Sequence, residues 1–163
     1  MPDREAYREA LRWRYFSWLP YQEDSELPLK FFQQTIGGSG PGSGFHNTNL
    51  DYSGSFPNDF SLEALWFKVR GPFCAQLRLD QLFAWLDQGH YDLRIGQRRY
   101  FEGMPALEPD HFQPPLQIAR GHYIILELTW PEPPRWAKRL NAADPNDFQI
   151  GAVLEGLKLR DLV

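Results

Sequence analysis

Cysteine occurs once, methionine twice, and lysine and histidine four times each in these 163 residues. With Cys74 alone, no internal disulfide can form and no thiolate metal site can be assembled, which excludes a disulfide-stapled scaffold. His46, His90, His111 and His122 are scattered without HxH or HExxH spacing, so neither a metal nor a cofactor is expected. No run approaches 18 apolar residues, and the opening MPDREAYREALRWRYF is charged throughout, without the apolar core of a signal peptide. A soluble chain is the expectation. Positive charge is also short: the formal net charge is −4, so no global field exists to hold polyphosphate. Nucleic acid is therefore not expected as a direct ligand, and contact with a membrane is left open.

Aromatic residues are abundant at 15%, with six Trp, seven Tyr and twelve Phe, and Gly (13) and Pro (14) are frequent. Such a chain can fill a core but breaks often into turns, which favours an all-β domain of about the usual single-domain size. Charge is uneven along it: +1 over residues 1–20, −5 over 21–64, +2 over 65–103 and −2 over 104–163.

Residues 3–17 carry helix formers, Asp3 at an N-cap position and Tyr7, Leu11 and Tyr15 at every fourth place. A short amphipathic helix is expected there, with Arg4, Arg8 and Arg12 as a second stripe beside Glu5 and Glu9. Residues 1–22 then form an N-terminal arm and 23–163 a β-sandwich domain. Leu27–Thr35 reads as a strand, and the glycines of IGGSGPGSG lack the Lys-Ser/Thr of a phosphate loop, leaving a surface loop. FSLEALWFKVR (60–70) is apolar on both faces, as in a covered strand. Leu79, Leu82, Phe83 and Leu86 recur at helical spacing before Gly89, which predicts one short embedded helix ending there. YDLRIGQRRYF (91–101) turns at Gly96-Gln97 as a hairpin. A proline-punctuated loop over 105–115 precedes the clearest strand, GHYIILELTWP, and a second long connection spans 131–147. FQIGAVLEGLKLRDL closes the chain as two β-like halves with a turn or bulge at Glu155-Gly156.

Catalytic spacing is hard to find. No GxSxG occurs, Asp110-His111 has no nucleophile placed for it, and the serines at 39, 43, 53 and 55 sit among glycines as turn residues. Asp51, Asp59, Glu63 and Glu127 are carboxylates that a fold could gather for hydrolysis, but nothing in their spacing does so. A non-enzymatic role is expected. Trp13, Trp18 and Trp136 fall in segments that read as peripheral, where large aromatics mark contact with a partner, while Trp66 and Trp130 read as core.

Several stretches resemble the single-domain jelly-roll or β-sandwich virion proteins of bacteriophages. They are the Gln-Gln-Thr at 33–35, NTNLDYSGSFPNDFSLEALWFKV (47–69), LRIGQRRYFEG (93–103), GHYIILELTWPEPP (121–134) and IGAVLEGLKLRDL (150–162). The resemblance covers residues 33–162 and not the N-terminal arm. It implies a two-sheet antiparallel jelly roll acting as a capsid or capsid-associated building block, located in the virion after synthesis in the host cytoplasm. Its partners would be copies of itself, in a homo-oligomer, and other virion proteins. Arg4, Arg8, Arg12, Trp13, Trp18 and Trp136 are the expected subunit contacts. The alternative is a carbohydrate-binding sandwich with Tyr100, Trp130 or Trp136 as a stacking platform.

Overall fold

A computed structural model of the chain describes residues 8–38, 43–44, 46–51 and 54–161. Among them are eight strands: β1 (Arg8–Pro20), β2 (Leu29–Phe31), β3 (Asp59–Arg70), β4 (His90–Ile95), β5 (Arg98–Pro105), β6 (Asp110–Ile118), β7 (Ile124–Thr129) and β8 (Gln149–Asp161). One helix, α1 (Leu79–Asp87), and one-turn 3-10 helices at Pro72–Gln76 and Arg135–Arg139 interrupt them. The first sheet has the order β1-β8-β3-β6 and the second β2-β7-β4-β5, antiparallel throughout. Four of these pairings join first strand to last, second to seventh, third to sixth and fourth to fifth. The chain is thus one long antiparallel ribbon closed by the β4–β5 hairpin. Contacts of β8 with β3 and of β7 with β4 fold that ribbon across itself into a sandwich.

The interior follows from strand alternation. Tyr15 and Ser17 of β1, Ile150, Ala152 and Leu154 of β8, and Leu126 and Leu128 of β7 are all buried. Rings join the sheets: Phe67 lies 5.6 Å from Phe31 and 5.5 Å from Tyr91, and Phe101 of β5 stacks on Phe112 of β6 at 5.4 Å. The apparent double-sided apolarity of β3 has a local cause. Leu62 is opposite Gly156 and Ala64 opposite Glu155, so Glu63 is an extra residue in the ladder. The bulge shifts the pleat by one, and the inward set passes from Phe60 and Leu62 to Leu65 and Phe67. Gly156 permits it, because a Cβ there would stand 1.8 Å from the Ser61 carbonyl oxygen.

Several expectations change. Residues 8–20 are not a helical arm but a strand paired with β8 over its whole length, so a boundary at residue 22 does not separate them from the sandwich. The physical reason lies in the spacing, since side chains four apart share a face in a strand as well as in a helix. Thirteen paired residues then outweigh the helix propensity of Glu, Ala and Arg. Asp3, Arg4, Glu5 and Tyr7 lie outside the described residues. The strand read over 27–35 shortens to Leu29–Phe31, ended by Phe32 at φ 61, whose N–H donates to the Ser17 hydroxyl. The proline loop ends in a strand, with Pro114 and Pro115 in β6 at the sheet edge, where a missing N–H is tolerated. The closing segment is one continuous strand, and the bulge lies on β3 facing Glu155-Gly156. Helix α1 forms as expected, but it buries Trp85 and Leu86 while Leu79 (69%) and Phe83 (51%) stay exposed.

Candidate functional site

The outward face of the first sheet gathers most of the residues singled out in the sequence. Along β1 the even-numbered side chains point outward, opposite odd-numbered residues of β8: Arg8 to Asp161, Arg12 to Leu157, Arg14 to Glu155, Trp18 to Gly151. Arg8 Nη1 lies 2.8 Å from Asp59 and its Nε 3.2 Å from Asp161. Arg12 meets Glu63 at 2.8 Å and Arg14 meets Glu155 at 3.0 Å. The hydrogen bond to Asp59 raises the Arg8 guanidinium above its ordinary range. Asp59, which accepts the Arg120 backbone N–H and then Arg8, is held below the usual carboxylate range. These pairs are exposed and screened by solvent, so each adds little to stability and chiefly fixes geometry.

Farther along the same face, cations lie over indoles. The Arg14 guanidinium stands 5.4 Å from the Trp66 ring, and Trp18 carries Arg70 at 4.1 Å and Lys68 at 5.2 Å. Trp18 packs on Gly151, where any Cβ would come within 2.7 Å of the indole. Arg70 is pinned by Nε to the Gln149 side chain (2.7 Å) and by Nη2 to Asn47 Oδ1 (2.9 Å) and the His46 carbonyl (3.1 Å). Its burial lowers the guanidinium from its ordinary value. Lys68 and Arg70 have no carboxylate within 4.0 Å among the described residues, unlike Arg8, Arg12 and Arg14.

The free edge of β1 is partly covered. Trp18 N–H donates to the Asn47 carbonyl, Phe16 N–H to Asn49 Oδ1, and Asn49 Nδ2 returns a bond to the Arg14 carbonyl. Segment 47–49 therefore takes backbone groups that an open edge would offer to another strand.

Of the expected subunit contacts, Arg8, Arg12 and Trp18 share this outward face, while Trp13 (37% exposed) lies on the opposite side of β1 with Lys158 4.3 Å from its ring. Arg4 lies outside the described residues. Trp136 is elsewhere and not peripheral: it is buried with Tyr21, Phe73, Trp85, Trp130 and Phe148 at one end of the sandwich. Within that cluster Trp85 and Trp130 stack at 4.3 Å, and Trp130 Nε1 donates to the Trp85 carbonyl. Trp130 and Trp136 thus present no open ring face to a sugar. Tyr100 is half-buried in a separate groove of about 590 Å³ with His111, Phe112 and Pro114, and the Arg98 guanidinium lies 4.8 Å from its ring. Trp130 and Trp136 share the buried cluster while Tyr100 lies apart from it, so the three form no common stacking platform.

Lys68 and Arg70 were not singled out by sequence reasoning, and Glu63 and Glu155 were named only as a candidate carboxylate and a turn residue. The signal was the alternation of β3, and the Glu63 bulge disguises it by moving even-numbered residues from the inner to the outer face. Among the described residues, no three His, Cys, Asp or Glu side chains are grouped to hold a metal ion, and no helix is long and apolar enough to cross a membrane. Cys74 is half-buried, and burial pushes its thiol up. No family model, curated protein or solved structure matches the chain.

Proposed function

We propose that this chain is a bacteriophage virion structural protein, a capsid or capsid-associated jelly-roll subunit that acts by assembling with copies of itself and with other virion proteins. The observation that carries the reading is the ribbon pairing of first strand with last, second with seventh, third with sixth and fourth with fifth. A ribbon so wound into two four-stranded sheets is the plan of double-sheet jelly rolls, which viral shells use. It agrees with the bacteriophage resemblance over residues 33–162.

The surface suits a subunit that packs by its faces. Edge β1 is partly covered by segment 47–49, edge β6 carries two prolines, and edge β2 is three residues long. Each of these discourages uncontrolled strand addition and leaves side-chain surfaces to make specific contacts. The outward face of the first sheet supplies such a surface, with cations laid over its indoles.

Sedimentation velocity or mass photometry over a concentration series of the full chain tests the reading, together with its detection in purified particles. Concentration-dependent assembly and a stoichiometric place in particles are expected. A protein that stays monomeric and is absent from particles refutes it.

A further inference from the structure

The outward face of the first sheet ends in a surplus of positive charge. Lys68 and Arg70, two residues apart on β3, both lie over the Trp18 indole, and no described carboxylate comes within 4.0 Å of either. Arg70 cannot swing away freely, since Nε and Nη2 are held by Gln149, Asn47 and the His46 carbonyl. Its Nη1 has no partner among the described residues. This is a pre-positioned pair of donors for a carboxylate, with little side-chain entropy left to lose at Arg70.

The complementary charge is on the same chain. The turn after β1 carries Glu23, Asp24 and Glu26, all exposed and none in an ion pair among the described residues. That turn is shaped by its own bonds, Gln22 N–H to the Ser25 hydroxyl and Ser25 N–H to the Gln22 carbonyl. Asp24 and Glu26 also line a cavity of about 480 Å³ with Leu19, Pro20, Leu29, Ala142 and Pro145. An apolar floor under carboxylates suits a lysine, whose four-carbon stem buries while its ammonium stays at the rim.

Both surfaces belong to one end of the sandwich. Arg70 and Pro20 are each opposite Gln149, and the acidic turn begins three residues beyond Pro20, at Glu23. We infer that the Glu23–Glu26 turn of one copy docks on the surface that Lys68 and Arg70 form over the buried Trp18 of a second copy. With both surfaces at one end, a two-fold axis makes the contact twice, each copy giving its turn and receiving its partner's. The chain's net charge of −4 opposes general association, so the contact depends on this local match. The inference rests on the self-assembling role proposed above.

The test is a charge exchange on the full chain, read as a dissociation constant by sedimentation or mass photometry in about 0.05 M salt, with the melting temperature of each protein as a folding control. Lys68→Glu with Arg70→Glu is one variant, and Glu23→Lys with Asp24→Lys and Glu26→Lys is the other. Lys68→Glu alone serves as a second patch variant that leaves the Arg70 hydrogen bonds in place. Each variant by itself should associate at least tenfold more weakly than the wild type, and an equimolar mixture of the two reversed proteins should recover association. Raising salt to about 0.5 M should weaken the wild-type contact, because exposed charge pairs are screened. Wild-type assembly that both reversals leave unchanged, or a mixture that does not recover, overturns the docking assignment while the structural role stands. A wild type that is monomeric throughout overturns the docking assignment, and one that is also absent from purified particles overturns the structural role as well.

Discussion

Replacing Tyr15 by phenylalanine should make this protein more stable, an unusual direction for a core substitution. The ring is almost wholly buried in the first sheet, edge-on to Phe56 at 5.4 Å and Phe60 at 5.1 Å, and its hydroxyl has no hydrogen-bond partner among the described residues. Folding therefore strips water from the hydroxyl without replacing it, a cost of about 1–3 kcal/mol. Phenylalanine keeps the ring contacts and removes that cost, so the unfolding free energy should rise by about 1 kcal/mol, or roughly 2–4 °C in Tm for a chain of this size. Tyr91 supplies the opposite case. It is as deeply buried, but its hydroxyl donates to Asp110, so Tyr91→Phe leaves a partly buried carboxylate without its donor and should cost about 1–3 kcal/mol. Burial pushes Tyr15 up to about 12, well above an ordinary tyrosine. A raised folded value means that the native state holds its proton longer, so this contribution is complete below about 10 and is lost as pH rises from there toward 12. Tyr15→Phe should accordingly flatten the alkaline decline. Urea unfolding of the three proteins at pH 7 and across pH 9–12, with m-values compared, reads all of this. A Tyr15→Phe protein that loses more than about 1 kcal/mol would refute the reasoning, because the hydroxyl would then have a stabilising partner.

The remaining outcomes test the ladder, the ion pairs and the helix. Gly156→Ala places a methyl 1.8 Å from the Ser61 carbonyl oxygen, so the bulge must shift; a loss of about 3 kcal/mol is expected in chemical denaturation. Asp59 sits below its ordinary range, so its contribution is present above about pH 4 and disappears as pH falls through the lowered value. The stabilities of wild type and Asp59→Asn should therefore converge on acidification below that pH, as followed by circular dichroism. On α1, Leu79→Ser and Phe83→Ser should stay within about 0.5 kcal/mol of wild type, whereas Leu86→Ala should cost about 2–4 kcal/mol.

Much of the architecture was legible where local chemistry and tertiary context agree. The Gly96-Gln97 turn, the strand at Ile124–Thr129 and the helix before Gly89 each carry their own signal, and each stands where that signal puts it. Failures came where two periods coincide. Arg8 and Arg12 share a face at a spacing of four whether the backbone is helix or strand, so the same-face relation survives while the element changes. Leu79 and Phe83 match a helical stripe, yet α1 turns Trp85 inward because Trp130, Trp136 and Tyr21 offer it a stacked aromatic site. The candidate surface was half legible: Arg8, Arg12 and Trp18 were found, but Lys68 and Arg70 were hidden by a bulge that no composition announces.

By itself the sequence determined the β class, the abundance of turns and an aromatic core, because alternation, proline and glycine act within a few residues of where they stand. Tertiary structure alone decided the ribbon pairing, the burial of Trp18 and Trp136, and the gathering of Lys68 and Arg70 over one indole. Those depend on residues such as Trp18 and Gly151, or Phe60 and Lys158, that are far apart along the chain and meet only when β1, β3 and β8 lie side by side.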